Sequence, residues 1–250
     1  MRLHIILLAL AGCSSSELGE VTADAQLDAA PSYKEGYVEI LGRKSITLTE
    51  VAGAFLADEP PVAVRDDGPC RIALRNRAMT PTVSAGTLTI AGGAGPTVTL
   101  SYDPYTGYFK DTYGPSYAAN DQLTVSAAGD AVPAFSTQIA FPASVTVTSG
   151  TPAILNKSGF TATWDLTTSP VRIRIGQYPS GAPQLSITCV FDGAAGTGMI
   201  PASALADVMM GGSVVIQVTT TSATRLMVGE YPTDLTASEW AVLTQVPVQP

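Results

Sequence analysis

Val171-Arg172-Ile173-Arg174-Ile175 alternates strictly between branched apolar and charged side chains, and this two-residue period decides the fold class. A strand turns successive side chains to opposite faces, so Val171, Ile173 and Ile175 point into a core while Arg172 and Arg174 point to water. Upstream, Phe160, Ala162 and Trp164 alternate with Thr161, Thr163 and Asp165, which places a tryptophan in the core of an early strand. Downstream, Leu185, Ile187, Cys189 and Phe191 form another inward row. Ala143 to Thr148 opens this unit, and Ser213 to Thr219 and Thr224 to Gly229 close it. Between them, Pro201 to Met210 predicts one short helix, with Ile200, Leu205, Val208 and Met209 sharing a face and Gly211-Gly212 ending it.

The same reading extends back to Tyr33. Strand-like runs cover Tyr37 to Leu41, Ser45 to Thr49, Cys70 to Asn76, Gly86 to Ala91, Thr97 to Tyr102, Gln122 to Ser126 and Ala134 to Phe141. Glu50 to Ala57 fits either a strand or a turn or two of helix. Asp66-Asp67-Gly68-Pro69, Gly92-Gly93-Ala94-Gly95-Pro96 and Ala128-Gly129-Asp130 supply the turns. The expected architecture is all-β, with two tandem β-sandwich domains over residues 33–142 and 143–250. The order of four strands, a short helix and two strands in the second domain is that of an immunoglobulin-like sandwich.

Composition agrees. Hydrophobic residues make up 46% of the chain and charged ones 14%, enough apolar material for sizeable cores. Thr, Val, Ser, Gly and Pro prevail over the residues that dominate helical proteins. The only histidine is His4, so the chain beyond it has none, which excludes Ser-His-Asp and Cys-His catalysis and His-ligated zinc.

Residues 1–12 read as a signal peptide: Arg2, an apolar run from Ile5 to Leu10, then small residues. Leu10-Ala11-Gly12-Cys13 resembles the lipobox of bacterial lipoproteins, matching at all four positions. The resemblance implies cleavage before Cys13 and attachment of palmitate-type acyl chains there, and Ser14 resembles the outer-membrane sorting type. Residues 13–32 carry Glu17, Glu20, Asp24 and Asp28 with no basic residue, and read as a lipidated cysteine followed by a disordered tether. Cleavage removes Arg2 and leaves 12 basic against 21 acidic side chains, a net charge of −9 that argues against nucleic acid as a partner. Ala131-Val132-Pro133-Ala134-Phe135-Ser136, Thr163-Trp164-Asp165, Cys189-Val190-Phe191-Asp192 and Ile200-Pro201-Ala202-Ser203-Ala204-Leu205 together resemble uncharacterised two-domain β-sandwich envelope lipoproteins, a resemblance that brings no activity with it. What it implies is an outer-membrane lipoprotein, periplasmic or surface-facing, that touches the membrane through its lipid; the partner expected from the tyrosine-rich stretch described below is a glycan or an envelope protein.

Several groups of residues are candidates for function. Thr167 to Pro179 and Thr220 to Pro232 echo each other 53 residues apart, both ending in Tyr-Pro. If the two copies are parallel strands with one strand between them, Tyr178 and Tyr231 frame a ligand site at one end of the sheet. Tyr102, Tyr105, Tyr108, Phe109, Tyr113 and Tyr117 crowd a second stretch, where rings with hydroxyls suit stacking on sugars or anchoring a protein. Asp103 and Asp111 beside them are weak calcium candidates without the EF-hand order of ligands, and no other metal or cofactor is expected.

Arg71 and Arg75 share the outward face of one strand, a candidate patch for anionic glycans or lipid phosphates. Cys70 and Cys189 face the cores of different domains and are expected as two separate buried thiols. The function so read is a non-enzymatic binding, adhesion or envelope-structural module. The alternative is a glycan-active hydrolase using paired carboxylates, Asp103 with Asp111 or Asp165 with Asp192.

Overall fold

The computed structural model describes residues 33–249 apart from 44–47, 60–62, 76–80, 96, 115–116 and 180–183. The signal peptide, Cys13 and the tether lie outside the described residues. The strands of the first half are β1 (Tyr33–Arg43), β2 (Leu48–Glu59), β3 (Ala63–Asp67), β4 (Cys70–Arg75), β5 (Leu88–Ala91), β6 (Val98–Leu100), β7 (Tyr108–Tyr113), β8 (Gln122–Ala127) and β9 (Phe135–Ala140). Those of the second half are β10 (Val147–Ser149), β11 (Gly159–Trp164), β12 (Val171–Gln177), β13 (Gln184–Phe191), β14 (Thr197–Pro201), β15 (Ser213–Val228) and β16 (Tyr231–Pro247). The chain is all-β and its sheets pack as sandwiches.

The expected helix at Pro201 to Met210 is not formed. A 3-10 turn over Ala202–Leu205 stands in its place, burying Ala204 and Leu205. Beyond the turn, the Gln177 side chain accepts from the Met209 N–H at 2.7 Å and donates to the Met209 carbonyl at 2.9 Å, taking backbone groups that a longer helix would pair within itself.

A nine-stranded sheet in the order β3-β4-β13-β12-β15-β16-β1-β2-β7 runs through both halves of the sequence. Its spine is the hairpin β15/β16, whose strands are 16 and 17 residues long. The hairpin closes through Gly229-Glu230, with Gly229 at φ 59°, the left-handed conformation that tight hairpin turns require. Past the hairpin, β1 joins β16 in parallel, Val38 opposite Leu235 and Ile40 opposite Ala237.

Two smaller sheets cover one face of this large one. The four-stranded sheet β6-β5-β8-β9 encloses a first core containing Val38, Ile40, Phe55, Leu88, Leu123 and Leu235. The three-stranded sheet β10-β11-β14 covers a second core with Trp164, Ile173, Ile187, Ile200, Ile216 and Val246. Trp164 is almost fully buried, and its indole N–H donates to the Gly193 carbonyl at 3.1 Å, which satisfies the one polar group it takes inside. Each such apolar side chain contributes about 1.5–3 kcal/mol when removed from water.

The covering sheets respect the expected boundary at residue 142, but the large sheet does not. The hairpin β3/β4 leaves the first half and pairs with β13, Ile72 opposite Ile187, so Cys70 and Ile72 join the second core. The far half of the β15/β16 hairpin returns to the first core through Val228, Tyr231 and Leu235. The described residues therefore make two sandwiches that share one continuous wall.

This topology corrects the reading of the cysteines. Cys70 and Cys189 are direct cross-strand partners on β4 and β13, and they form a disulfide that closes a loop of 119 residues. Alternation correctly turned both sulfurs inward. It could not show that both inward faces belong to the same core.

Candidate functional site

The face of the nine-stranded sheet turned away from both cores carries a cleft of about 500 Å³. Arg71 and Ala73 of β4, Ser186 and Thr188 of β13, and Arg172 and Arg174 of β12 form one wall. Glu35, Tyr37 and Glu39 of β1, with Ala52 of β2 and Thr236 of β16, form the other. Strands β4 and β2 stand six places apart in the sheet, roughly 29 Å if it were flat, at about 4.8 Å per strand. One cleft lined by both requires the sheet to curl, as its twist allows.

Arg172 ties the two walls together. Its Nη2 donates to Glu39 Oε1 at 2.8 Å and to Ser238 Oγ at 2.8 Å, lying across β15 and β16 to reach β1. Its Nε donates to Thr219 Oγ1 at 3.4 Å. Arg174 makes a longer contact, Nε to Ser186 Oγ at 3.3 Å. Among the described residues neither Arg71 nor Arg174 has a carboxylate within ion-pair distance. Arg71 faces Thr188 across the β4/β13 pairing, and Thr188 faces Arg174 across β13/β12. Two guanidiniums therefore flank one hydroxyl in a single cross-strand row.

Tyr178 closes one end. A Cβ placed on Gly176 would stand 2.6 Å from its hydroxyl oxygen, so the far edge of the ring occupies space that only a glycine leaves open. Tyr178 is half exposed, and Tyr37 on the opposite wall is 39% exposed.

The proposed pairing of Tyr178 with Tyr231 does not occur. The two echo segments are not parallel strands: β12 pairs directly and antiparallel with β15, Gly176 opposite Val215. Thr224 to Val228 is the far half of β15 itself, and Tyr231 begins β16 opposite Val228. The two tyrosines thus sit at opposite ends of β15, separated by about 40 Å of strand. Tyr231 is buried in the first core, and Lys34 stands over its ring with the Nζ 5.6 Å from the centroid.

The second tyrosine group is divided by strand alternation and packing. Tyr108 and Tyr117 are buried in the first core. The Tyr108 hydroxyl donates to the Gly86 carbonyl at 2.7 Å and accepts from the Ala85 N–H at 2.7 Å. Burial pushes the Tyr117 phenol up to about 12 and raises that of Tyr108 as well. Tyr102 donates to the Thr82 carbonyl at 2.6 Å and packs against Tyr108. Tyr105, Phe109 and Tyr113 remain exposed, the last two along β7 at the edge of the large sheet.

The acidic candidates are occupied locally. Asp103 Oδ1 accepts from the Thr106 and Tyr105 N–H groups at 2.9 and 2.8 Å, and these bonds hold its carboxyl below the usual range. Asp111 lies on β7 opposite Glu50, away from the Asp103 turn. Asp192 caps the 3-10 turn over Gly193–Ala195, accepting from Ala194 N–H at 3.0 Å. Among the described residues no group of three or more potential metal-ligating side chains is found.

Sequence reading turned Arg172 and Arg174 outward and named Arg71 and Tyr178, but it did not assemble them. Tyr37, Glu35 and Glu39 were missed. Their signal was the alternation Glu35, Tyr37, Glu39 against Gly36, Val38, Ile40 on one strand.

No family model matches the chain, and no curated protein does. Among solved structures, the chain is similar to the FN1–FN3 domains of chicken CNTN1, at 10% identity, covering 82% of this chain and 77% of that one, with a TM-score of 0.26. It is also similar to a two fibronectin type-III domain segment from chicken tenascin, at 11% identity, covering 71% and 96%, with a TM-score of 0.21.

Proposed function

We propose that the chain is a lipid-anchored, non-enzymatic binding module of the bacterial envelope, and that its ligand occupies the cleft on the outer face of the nine-stranded sheet. The cleft carries this reading: about 500 Å³ lies within the range of small-molecule sites, and charged, hydroxyl and aromatic groups from five strands converge on it. Anchoring rests on Leu10-Ala11-Gly12-Cys13 alone. A lipid at Cys13 frees the folded body from needing a membrane-binding surface of its own. Among the described residues, no helix is long and apolar enough to cross a membrane.

The hydrolase reading has less support. Asp103 and Asp192 are engaged in turns, and Glu39 is held by Arg172.

Two measurements test the proposal. Mass spectrometry of the protein from envelope fractions is expected to find an acylated Cys13 as the first residue, and an intact or unacylated amino terminus overturns the anchor. Screening the mature chain, made soluble by Cys13→Ser, on a glycan array is expected to yield ligands whose binding is lost in Tyr178→Ala. Ligands indifferent to that change overturn the cleft as the site.

A further inference from the structure

We infer that the cleft is built for a sugar bearing a single carboxylate, an inference that rests on reading the cleft as the ligand site. The first ground is the row Arg71-Thr188-Arg174. Two strand spacings set the backbones of Arg71 and Arg174 about 10 Å apart, with Thr188 between them. A guanidinium presents a planar fork of donors that matches a carboxylate. Arg172 is committed to Glu39 and Ser238, whereas Arg71 and Arg174 have no carboxylate partner among the described residues. Asp66 faces Arg71 across the β3/β4 pairing but forms no ion pair with it.

The second ground is the charge of the whole cleft. Three guanidiniums, of Arg71, Arg172 and Arg174, stand against the two carboxylates of Glu35 and Glu39. Among these lining groups the guanidiniums are in excess, and the excess sits on Arg71 and Arg174, which have no ion-paired carboxylate among the described residues. A phosphate monoester brings nearly two negative charges and meets the acidic wall, so the balance favours a carboxylate.

The third ground is the remaining lining. Ser186, Thr188, Gln184 and Thr236 offer hydroxyl and amide groups, and the glutamates accept from hydroxyl donors. The rings of Tyr178 and Tyr37 give an apolar surface with a polar tip at the sides. A polyol with an apolar ring face and one acidic group meets all of these groups. A simple fatty acid or a bare anion meets only some.

The test is calorimetric titration of the whole mature chain carrying Cys13→Ser with three probes: galacturonic acid, which bears one carboxylate, neutral galactose and inorganic phosphate. The expected result is that galacturonic acid binds about tenfold or more tightly than either of the others, and that raising salt from about 50 to about 500 mM weakens it. The double variant Arg71→Gln, Arg174→Gln is expected to lose about tenfold in affinity for the acid, as for removed charge-assisted hydrogen bonds, with an unchanged thermal midpoint. Equal binding of galactose, tighter binding of phosphate, no binding of any probe, or acid binding indifferent to the double variant each overturns the inference. A neutral glycan found on the array and lost in Tyr178→Ala would leave the cleft as the site while overturning the carboxylate. An acidic ligand unaffected by both sets of variants would overturn both readings.

Discussion

Arg172 and Glu39 lie 133 residues apart in sequence, yet guanidinium and carboxylate meet at 2.8 Å across two intervening strands. The contact joins the part of the sheet that backs the second core to the part that backs the first. Both groups are mostly shielded, with side-chain exposures of 16% and 26%. Arg172→Met is therefore expected to cost about 1–2 kcal/mol, between the values for exposed and fully buried pairs. Urea unfolding measures this, and an unchanged midpoint would show that the pair is only a surface contact.

The Cys70–Cys189 disulfide closes a long loop and fastens β4 to β13 inside the second core. Replacing both cysteines by alanine is expected to lower stability by about 2–5 kcal/mol. In the Cys13→Ser chain, denaturation without reductant should release no titratable thiol. Two thiols appearing in that assay would show that the bridge does not form.

The tyrosine group gives a paired prediction. Tyr108→Phe removes the acceptor of the buried Ala85 N–H and is expected to cost about 1–3 kcal/mol. Tyr105→Ala, at a ring 77% exposed, is expected to change stability by less than about 0.5 kcal/mol. Similar losses for both would mean that the group acts as one packed unit.

Asp103 gives a pH signature. Its carboxyl is held low by the Thr106 and Tyr105 N–H groups, so its contribution is complete above the ordinary aspartate pKa and disappears as pH falls through the lowered one. Asp103→Asn is expected to lower the thermal midpoint near neutrality, with the gap closing as pH falls from about 6 toward about 2.5. A gap constant across that range would assign the loss to something other than the charge.

Glycine placement is tested by Gly36→Ala. The added carbon would lie 2.7 Å from the ring of buried Phe55 and 2.6 Å from Thr233 Oγ1. Overpacking of this kind is expected to cost about 1–3 kcal/mol, read as a lower urea midpoint. An unchanged midpoint would mean that the ring shifts freely.

The strands with clean alternation could be read from sequence. Val171 to Ile175 and Leu185 to Phe191 fall within β12 and β13 with the faces as expected. The longest strand, β16, could not, because its period breaks. Tyr231, Thr233, Leu235 and Ala237 face the first core, and then a bulge near Ala241 shifts the inward set to Val242 and Val246. Helical spacing misled at Pro201 to Met210, where Leu205 and Val208 are buried by a 3-10 turn and the loop after it. The cleft was half legible. Alternation says that Arg71, Arg172 and Arg174 point outward, but their meeting depends on β4 choosing β13 as its neighbour. Strand choice of that kind leaves no trace in a two-residue period.

The shared wall has a consequence for how this protein can be taken apart. Because the β15/β16 hairpin completes both sandwiches, a cut near residue 142 yields two pieces, neither of which holds all the strands of its own core. Gene fragments that work well for beads on a string would here give unfinished halves. Heating should accordingly dissolve both cores in a single cooperative melt.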